Sequence, residues 1–370
     1  MKRTNEARWI ESRSRWQINV QSDGIRRTFA SSTPGRKGKI ECEKKADEWL
    51  DSRLTNETTR TDRVLDMWLD EVKKMTGISY WRTQESIVRL WIKPEIGHKK
   101  IGSVTENDLQ AIINNAYRNG NNGEGMSDRM LRSIRSSIAS FMKFCRGIPC
   151  SRLIPEHLTI PRGAKTSVKT IATKDDLKTL FSVTTTTYYG KRVEDFYVHA
   201  YRFAVVTGLR PGELIGLQNR KISNGIMTID QSINDIGEVT NGKNKNARRS
   251  QVLSDAALKV LQDQSAMLKR MGIISKYVFP EKDGGCISQH NFRDYWKRYR
   301  IANGLSGAPT PYELRHTFVS IVDEMPTALK KMVVGHSRSM DTEGVYSHEK
   351  RGDKERSAKY IDAAIKNVLQ

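Results

Sequence analysis

Four side chains toward the C-terminal end of the chain could act together on one phosphate. They are Arg315, His316, His336 and Tyr346, in a stretch from Thr310 to Tyr346 that opens TPYELRHTF and closes GHSRSMDTEGVY. An arginine can grip two phosphate oxygens at once, an imidazole can hold or pass a proton near neutral pH, and a phenol can attack phosphorus. Singly, each residue type has a plainer role: a surface arginine, a structural histidine, a half-buried helix tyrosine. Their combination is what points to phosphoryl chemistry. In-line attack on a phosphodiester builds charge on its non-bridging oxygens, and fixed guanidiniums can neutralise and orient those oxygens without a metal.

A further arginine, Arg210, sits in TGLRPGELIGL, from Thr207 to Leu217. With LRHTF, VVGHS and the T-x-x-x-Y-S-H around Tyr346, this box spans about 140 residues, and in order and spacing the set resembles the signature of the tyrosine recombinases, the phage-integrase family. The resemblance implies a site-specific DNA recombinase or integrase that cuts and rejoins strands through a 3′-phosphotyrosyl intermediate, integrating or excising a mobile element. It also implies roles. Arg210 and Arg315 hold the phosphate, Tyr346 attacks and frees a 5′-hydroxyl, His336 hydrogen-bonds the scissile phosphate, and a hairpin lysine protonates the leaving oxygen. Register against RRSQVL makes Lys243 the best match for that lysine, with Lys245 the runner-up. The covalent link conserves the phosphodiester energy, so neither ATP nor any other cofactor is expected.

One position departs from the family pattern, which has His-x-x-Arg where this chain has Tyr312-Glu313-Leu314-Arg315. A phenol with a pKa of roughly 10 can donate a hydrogen bond at neutral pH but accepts protons poorly, unlike an imidazole near 6.5. Two readings of Tyr312 therefore stand: a donor to the phosphate, or a ring packed beneath Arg315. His316 reads as a structural or helix-start residue rather than a replacement base. Gly237, Gly242 and Lys243 fit G-x-x-x-x-G-K, but Asn244 stands where a nucleotide-binding loop needs Ser or Thr, and KNKNARRSQVL leads into a strand rather than a helix, so nucleotide binding is rejected.

Positioning these groups requires a domain that begins near Thr173, where Thr173 and Asp176 can cap a helix. The pattern predicts a helix from about Glu194 that stops at Gly208, with Arg210 in the turn, Pro211 opening the next helix and Glu213 holding a backbone group or the guanidinium. A β region follows, with Gly225–Ile233 and Arg249–Leu253 flanking a turn-rich run. Helices are predicted over 255–271, burying Leu258, Leu261, Met267 and Leu268, and over 289–302, whose Phe292, Tyr295, Trp296 and Tyr299 read as core. His290 is a weak phosphate candidate. The tail ends in an amphipathic helix with Tyr360, Ile361, Ala364, Ile365 and Val368 on one face, able to pack in cis or on a neighbouring protomer.

Ahead of this domain the chain divides. Residues 1–40 carry ten basic and three acidic residues, net +7. Trp16, Ile18 and Val20 alternate with polar residues, predicting a small sheet covered by a helix near Glu43–Leu50 through Ala46, Trp49 and Leu50. A basic β-ribbon can read a DNA groove, and the layout resembles the arm-type DNA-binding domain of many integrases; Arg13, Arg15, Arg26 and Arg27 are its candidate DNA contacts. After the polar NETTRT, four helices are predicted, the second ending before Pro94, the third capped by Thr105 and Asp108, the fourth from Ser127 to Arg146. Arg129, Arg132 and Arg135 form a stripe suited to phosphates, although such stripes are commonly only solvated faces. The expected organisation is multidomain α+β: an arm-type domain of sheet plus helix at 1–55, an all-helical core-binding domain at 62–155, a Pro-marked linker at 156–170, and a mainly helical catalytic domain with a small sheet at 171–370.

Composition bounds the rest. At 370 residues the chain suits two or three domains, and 37% hydrophobic with 28% charged residues describes a globular protein. A net charge of +21 and a pI near 9.8 call for a polyanionic partner. The expected partner is double-stranded DNA at core-type and arm-type sites, bound by a homotetramer with accessory DNA-bending proteins. No apolar run suits a membrane span or signal peptide, so the expected location is cytoplasmic, on the nucleoid when DNA-bound. Cys42, Cys145, Cys150 and Cys286 lack metal or disulfide spacing and read as reduced thiols. Two rival functions share the features: a topoisomerase linking through tyrosine to a 3′ end, and a DNA-binding regulator with an inactive recombinase domain.

Overall fold

The computed structural model describes residues 5–22, 25–52, 56–148, 150–166, 169–240, 248–335 and 352–370, with the backbone alone at 51–52. The chain forms two compact units, Met1–Ser167 and Val168–Gln370.

The first unit opens with an antiparallel sheet of β1 (Arg8–Ile10), β2 (Arg15–Ser22) and β3 (Ile25–Ser31) in that order. The period of two in β2 turns Ile18 and Val20 onto one face, where they meet Cys42, Ala46, Trp49 and Leu50 of α1 (Gly35–Ser52) in a small buried cluster. Gln17, Asn19 and Gln21 take the other face.

A separate helical core follows, built by α2 (Thr61–Met75), α3 (Ile78–Ile87), α4 (Glu106–Asn119) and α5 (Asp128–Gly147). The Thr105/Asp108 capping box is present in full, and Ser127 caps α5 through the Met130 N–H. The expected stop before Pro94 is corrected: α3 continues through a π turn (Val88–Ile92) into a last α turn (Lys93–Ile96). Because Pro94 falls at the first turn of that last segment, its missing N–H and its ring cost little there. Leu131, Ile134, Ile138, Phe141, Met142 and Cys145 all face the core of this bundle.

The second unit begins with α6 (Lys174–Ser182), capped by the expected Thr173/Asp176 box. A hairpin that the periodicity did not reveal follows, β4 (Thr185–Tyr188) and β5 (Lys191–Glu194), so α7 (Val198–Thr207) starts later than expected. The β-branched threonines favour strand, and Tyr189 and Gly190, at φ 46° and 74°, make the tight turn. Short α8 (Pro211–Ile215) leads to a sheet in which β6 (Ile222–Ser223) and β10 (Arg249–Val252) flank β7 (Ile226–Ile229), with β8 (Ser232–Ile233) and β9 (Val239–Thr240) as a separate pair.

Helices α9 (Asp255–Arg270), α10 (Gln289–Ala302), α11 (Pro311–Ile321), α12 (Thr327–Val334) and α13 (Asp353–Leu369) complete the unit. In α9 the buried stripe is Ala257, Val260, Gln264 and Met267; Leu258, Leu261 and Leu268 pack only at its margin, a rotation that the sequence period left undetermined. Of the α10 aromatics, Phe292, Trp296 and Tyr299 are core as expected, with Trp296 and Tyr299 flanking Tyr201, while Tyr295 is half-buried at the margin of the core. Helix α13 packs within its own unit through Ile361, Ile365 and Val368, while Asp362 accepts the N–H groups of Asp255 and Ala256 at the start of α9. Among the described residues no helix is long and apolar enough to cross a membrane, and no group of His, Cys, Asp or Glu side chains could hold a metal ion.

Candidate active site

The site is built where α7 ends. Gly208 closes that helix at φ 65°, a conformation that favours glycine, and a Cβ there would meet Phe318 Cδ1 at 2.3 Å. This reversal delivers Arg210 to the N-cap of α8, with Pro211 at the first helical position. Glu213 returns to it: its carboxylate accepts the Arg210 backbone N–H at 3.0 Å and the guanidinium Nη1 at 2.7 Å. Glu213 therefore holds both a backbone group and the guanidinium.

Arg315 comes from α11, which opens with Thr310 at the N-cap, Pro311 inside it and a capping box closed by Glu313. The side chain is 2% exposed. Its Nη1 donates to the Gly208 carbonyl at 2.9 Å and its Nη2 to the Val334 carbonyl at 2.7 Å. Arg210 Nη2 donates to the neighbouring Gly335 carbonyl at 3.2 Å, so the two guanidiniums rest on adjacent carbonyls at the end of α12. The structure brings these two predicted residues together across a separation of 105 positions.

A third guanidinium belongs to the same cluster and was missed from sequence. Arg249, the first residue of β10, donates Nη1 and Nη2 to the Glu213 oxygens at 3.2 and 3.0 Å, and Nε to the Val333 carbonyl at 2.7 Å. The available signal was the pair Arg248-Arg249 at the start of a strand, but its partner lies 36 positions earlier and no local period connects them.

Electrostatically, Arg210 and Arg249 share the Glu213 carboxylate, and Arg315 lies in the field of all three. Burial pushes the Glu213 carboxyl up, and Arg249 and Arg210 overcome that push and hold it below the usual range. Burial, reinforced by the positive field of Arg210, pushes the Arg315 guanidinium down to about 10, with Glu213 pulling the other way. Arg315 thus stays charged at neutral pH in a site with surplus positive potential, as an anion-binding site requires. Arg210 is the more accessible of the pair, its side chain 22% exposed.

Tyr312 lies one turn before Arg315 on α11 and is 43% exposed; its ring meets His316 edge-on at 5.1 Å. Burial and the Lys169 charge push the His316 imidazole down, and its Nε2 is buried without a hydrogen-bond partner among the described residues. His290 pairs with Asp294 at 3.2 Å on the exposed face of α10. Lys243, its runner-up Lys245, His336 and Tyr346 lie outside the described residues.

In the first unit, Arg15 bonds Gln17 at 3.2 Å on the open face of the sheet, and Arg26 stands opposite Gln21 on the same face. Arg8, which was not singled out, joins them opposite Gln17. Arg27 stands opposite Val20 on the helix-covered face, its guanidinium 5.8 Å from the Trp49 ring. Arg13 is exposed at the end of a 3-10 turn. On α5, Arg129 is exposed, Arg132 is held by Asp128 at 2.7 Å, and Arg135 is half-buried.

Residues 171–352 match the Phage integrase family, and residues 62–116 match the Phage integrase N-terminal SAM-like domain. Among solved structures the chain is similar to the Tn1549 transposon integrase (residues 82–397) in complex with circular intermediate DNA, with a TM-score of 0.62 and 17% identity over 80% of this chain and 98% of that one. It is also similar to a lambda integrase dimer bound to a COC′ core site, with a TM-score of 0.58 and 16% identity over 95% and 99% of the two chains. A lambda integrase tetramer bound to a Holliday junction gives a TM-score of 0.58 and 18% identity over 93% and 95%. No curated protein sequence matches the chain. At these identities the structural likeness is one of fold.

Proposed function

The chain belongs to the phage integrase family of tyrosine recombinases, and we propose that it cuts and rejoins DNA at specific sites through a 3′-phosphotyrosyl intermediate, integrating or excising a mobile element. The observation that carries this reading is the meeting of Arg210 and Arg315 on adjacent carbonyls, beside a carboxylate that Arg210 shares with Arg249. Each of their terminal nitrogens carries two hydrogens. One is spent on a carbonyl or on Glu213, and on Arg210, whose side chain is 22% exposed, the other remains for a phosphate oxygen. Arg210 presents the accessible edge, and Arg315 stands behind it as a second fixed charge.

In the proposed reaction the Tyr346 oxygen attacks phosphorus, its proton passing to His336, as the bond to the 5′ oxygen breaks. Lys243 gives that leaving oxygen a proton, His336 hydrogen-bonds the phosphate, and the 5′-hydroxyl of another strand reverses the step. Tyr312 donates to the phosphate in place of the family's histidine. Residues 171–370 form the catalytic domain, 62–155 the core-binding domain with Arg129, Arg132 and Arg135 toward phosphates, 156–170 the linker, and 1–55 the arm-type domain with Arg13, Arg15, Arg26 and Arg27 as contacts. The working assembly is a tetramer on DNA, with accessory bending proteins as further partners.

Trapping on a nicked core-site duplex tests the chemistry. The wild type should form a covalent protein–DNA species and Tyr346→Phe should bind the same duplex yet form none, because only the nucleophilic oxygen is lost. Adduct formation by Tyr346→Phe would move the nucleophile elsewhere, with Tyr360 next to test. Relaxation of plasmids that lack paired sites would favour a topoisomerase instead.

A further inference from the structure

We infer that Arg249 is a positioning residue for strand cleavage, fixing Arg210 through the carboxylate they share; the inference rests on the strand-transfer reading above. The last carbonyls of a helix are open to donors from outside it, and α12 ends at Val334 with Gly335 as its C-cap. Three successive ones each accept from a different arginine: Val333 from Arg249 Nε, Val334 from Arg315 Nη2, and Gly335 from Arg210 Nη2. Guanidiniums from β10, α11 and the start of α8 therefore converge on one helix C-terminus, where the helix dipole favours cations.

Arg249 differs from the other two in the direction of its fork. Both its Nη atoms go to Glu213, and its side chain is only 7% exposed, so these donors are turned into the fold. Glu213 uses the same two oxygens to hold the Arg210 backbone and Nη1. With Arg249 bound, neither oxygen can swing away, and the Arg210 guanidinium is pinned between Glu213 and the Gly335 carbonyl. Without that bidentate partner the carboxylate could turn with Arg210, and the phosphate clamp would lose its fixed direction. Lysine cannot reproduce this, because one ammonium on a flexible stem cannot meet two carboxylate oxygens and a carbonyl in one plane.

The test compares full-length wild type with Arg249→Lys in single-turnover cleavage of a pre-bound nicked core-site duplex. Two substrates are used: an ordinary scissile phosphate and a methylphosphonate, which lacks the charged non-bridging oxygen that Arg210 would meet. Arg249→Lys should keep its DNA affinity, cleave the ordinary phosphate roughly 10- to 100-fold more slowly, the scale of a misplaced reacting group, and recover most of that deficit on the neutral linkage. Wild-type rates in Arg249→Lys would overturn the inference. So would equal slowing on both substrates, which is a general fold defect, or a loss of DNA affinity that matches the loss of rate. Glu213→Asp, which shortens the shared carboxylate, should reproduce the substrate-dependent slowing without adding to Arg249→Lys in the double variant, and additive losses would also overturn it. Failure of the wild type itself to form an adduct is a separate outcome, which removes the proposed activity.

Discussion

Tyr312 is where this chain departs from its family, and the structure gives it an exposed ring against His316, one turn before Arg315. An exposed phenol can reach a bound phosphate as a donor but accepts a proton poorly at neutral pH. Tyr312→Phe should therefore slow adduct formation by about 1.5 to 3 kcal/mol of barrier, the usual worth of a hydrogen bond to a charged group. Tyr312→His should be active and gain a pH dependence between about 6 and 7, where imidazole titrates. Adduct rates for both variants across that range decide the matter, and an unaffected Phe variant would remove the donor role. Of the candidate site, Arg210, Arg315 and Glu213 were legible at this scale, because they sit in recognisable local strings that the structure brings together, while His336 and Tyr346 lie outside the described residues. Arg249 was not, because its importance comes from a carboxylate and a carbonyl far away in sequence.

The elements that present these residues were legible where a local rule applies. The boxes at Thr105/Asp108 and Thr173/Asp176, the Gly208 stop and the Pro211 start follow from side chains that satisfy backbone groups within a few residues. The β4–β5 hairpin was missed, and it contains an unusual group. Asp195, just after β5, is 1% exposed; its Oδ1 accepts the Tyr197 N–H at 2.8 Å, while Oδ2 is buried without a partner among the described residues. Burial pushes its carboxyl from 3.8 up to about 6, against the opposing pull of the Tyr197 bond and Arg298. Since the folded value is the higher one, the folded state binds this proton more tightly. Its contribution to stability is full below the unfolded value and lost as pH rises through about 6. Asp195→Asn, neutral at every pH, should stabilise the protein by about 1 to 3 kcal/mol at pH 8 and by little at pH 4. Urea denaturation of both proteins at the two pH values checks this, and a pH-independent difference would contradict it.

For the whole molecule, the sheet of the first unit turns Arg8, Arg15, Arg26, Gln17, Asn19 and Gln21 to one face and packs the other on α1, forming a buried cluster separate from that of the helices that follow. Arginine, glutamine and asparagine are the side chains that read base edges. Deleting residues 1–55 should therefore leave core-site cleavage largely intact while abolishing binding to a second, distal class of site; equal losses at both classes would make the segment part of the main clamp. Binding by the full chain should weaken with salt, each neutralised phosphate adding about −0.9 to the log–log slope. The sequence by itself determined the family and the capped helix ends at Thr105, Ser127, Thr173 and Gly208, and its charge of +21 set the expectation of a polyanionic partner, because motif spacing, composition and capping are local properties. Only the tertiary structure decided which of Arg26 and Arg27 takes the open face of the sheet and which the covered one, and that α13 packs within its own unit. It also decided that Val333, Val334 and Gly335 each hold a different arginine, since contacts between residues about 20 to 125 positions apart depend on how helices and strands pack, which no local pattern records.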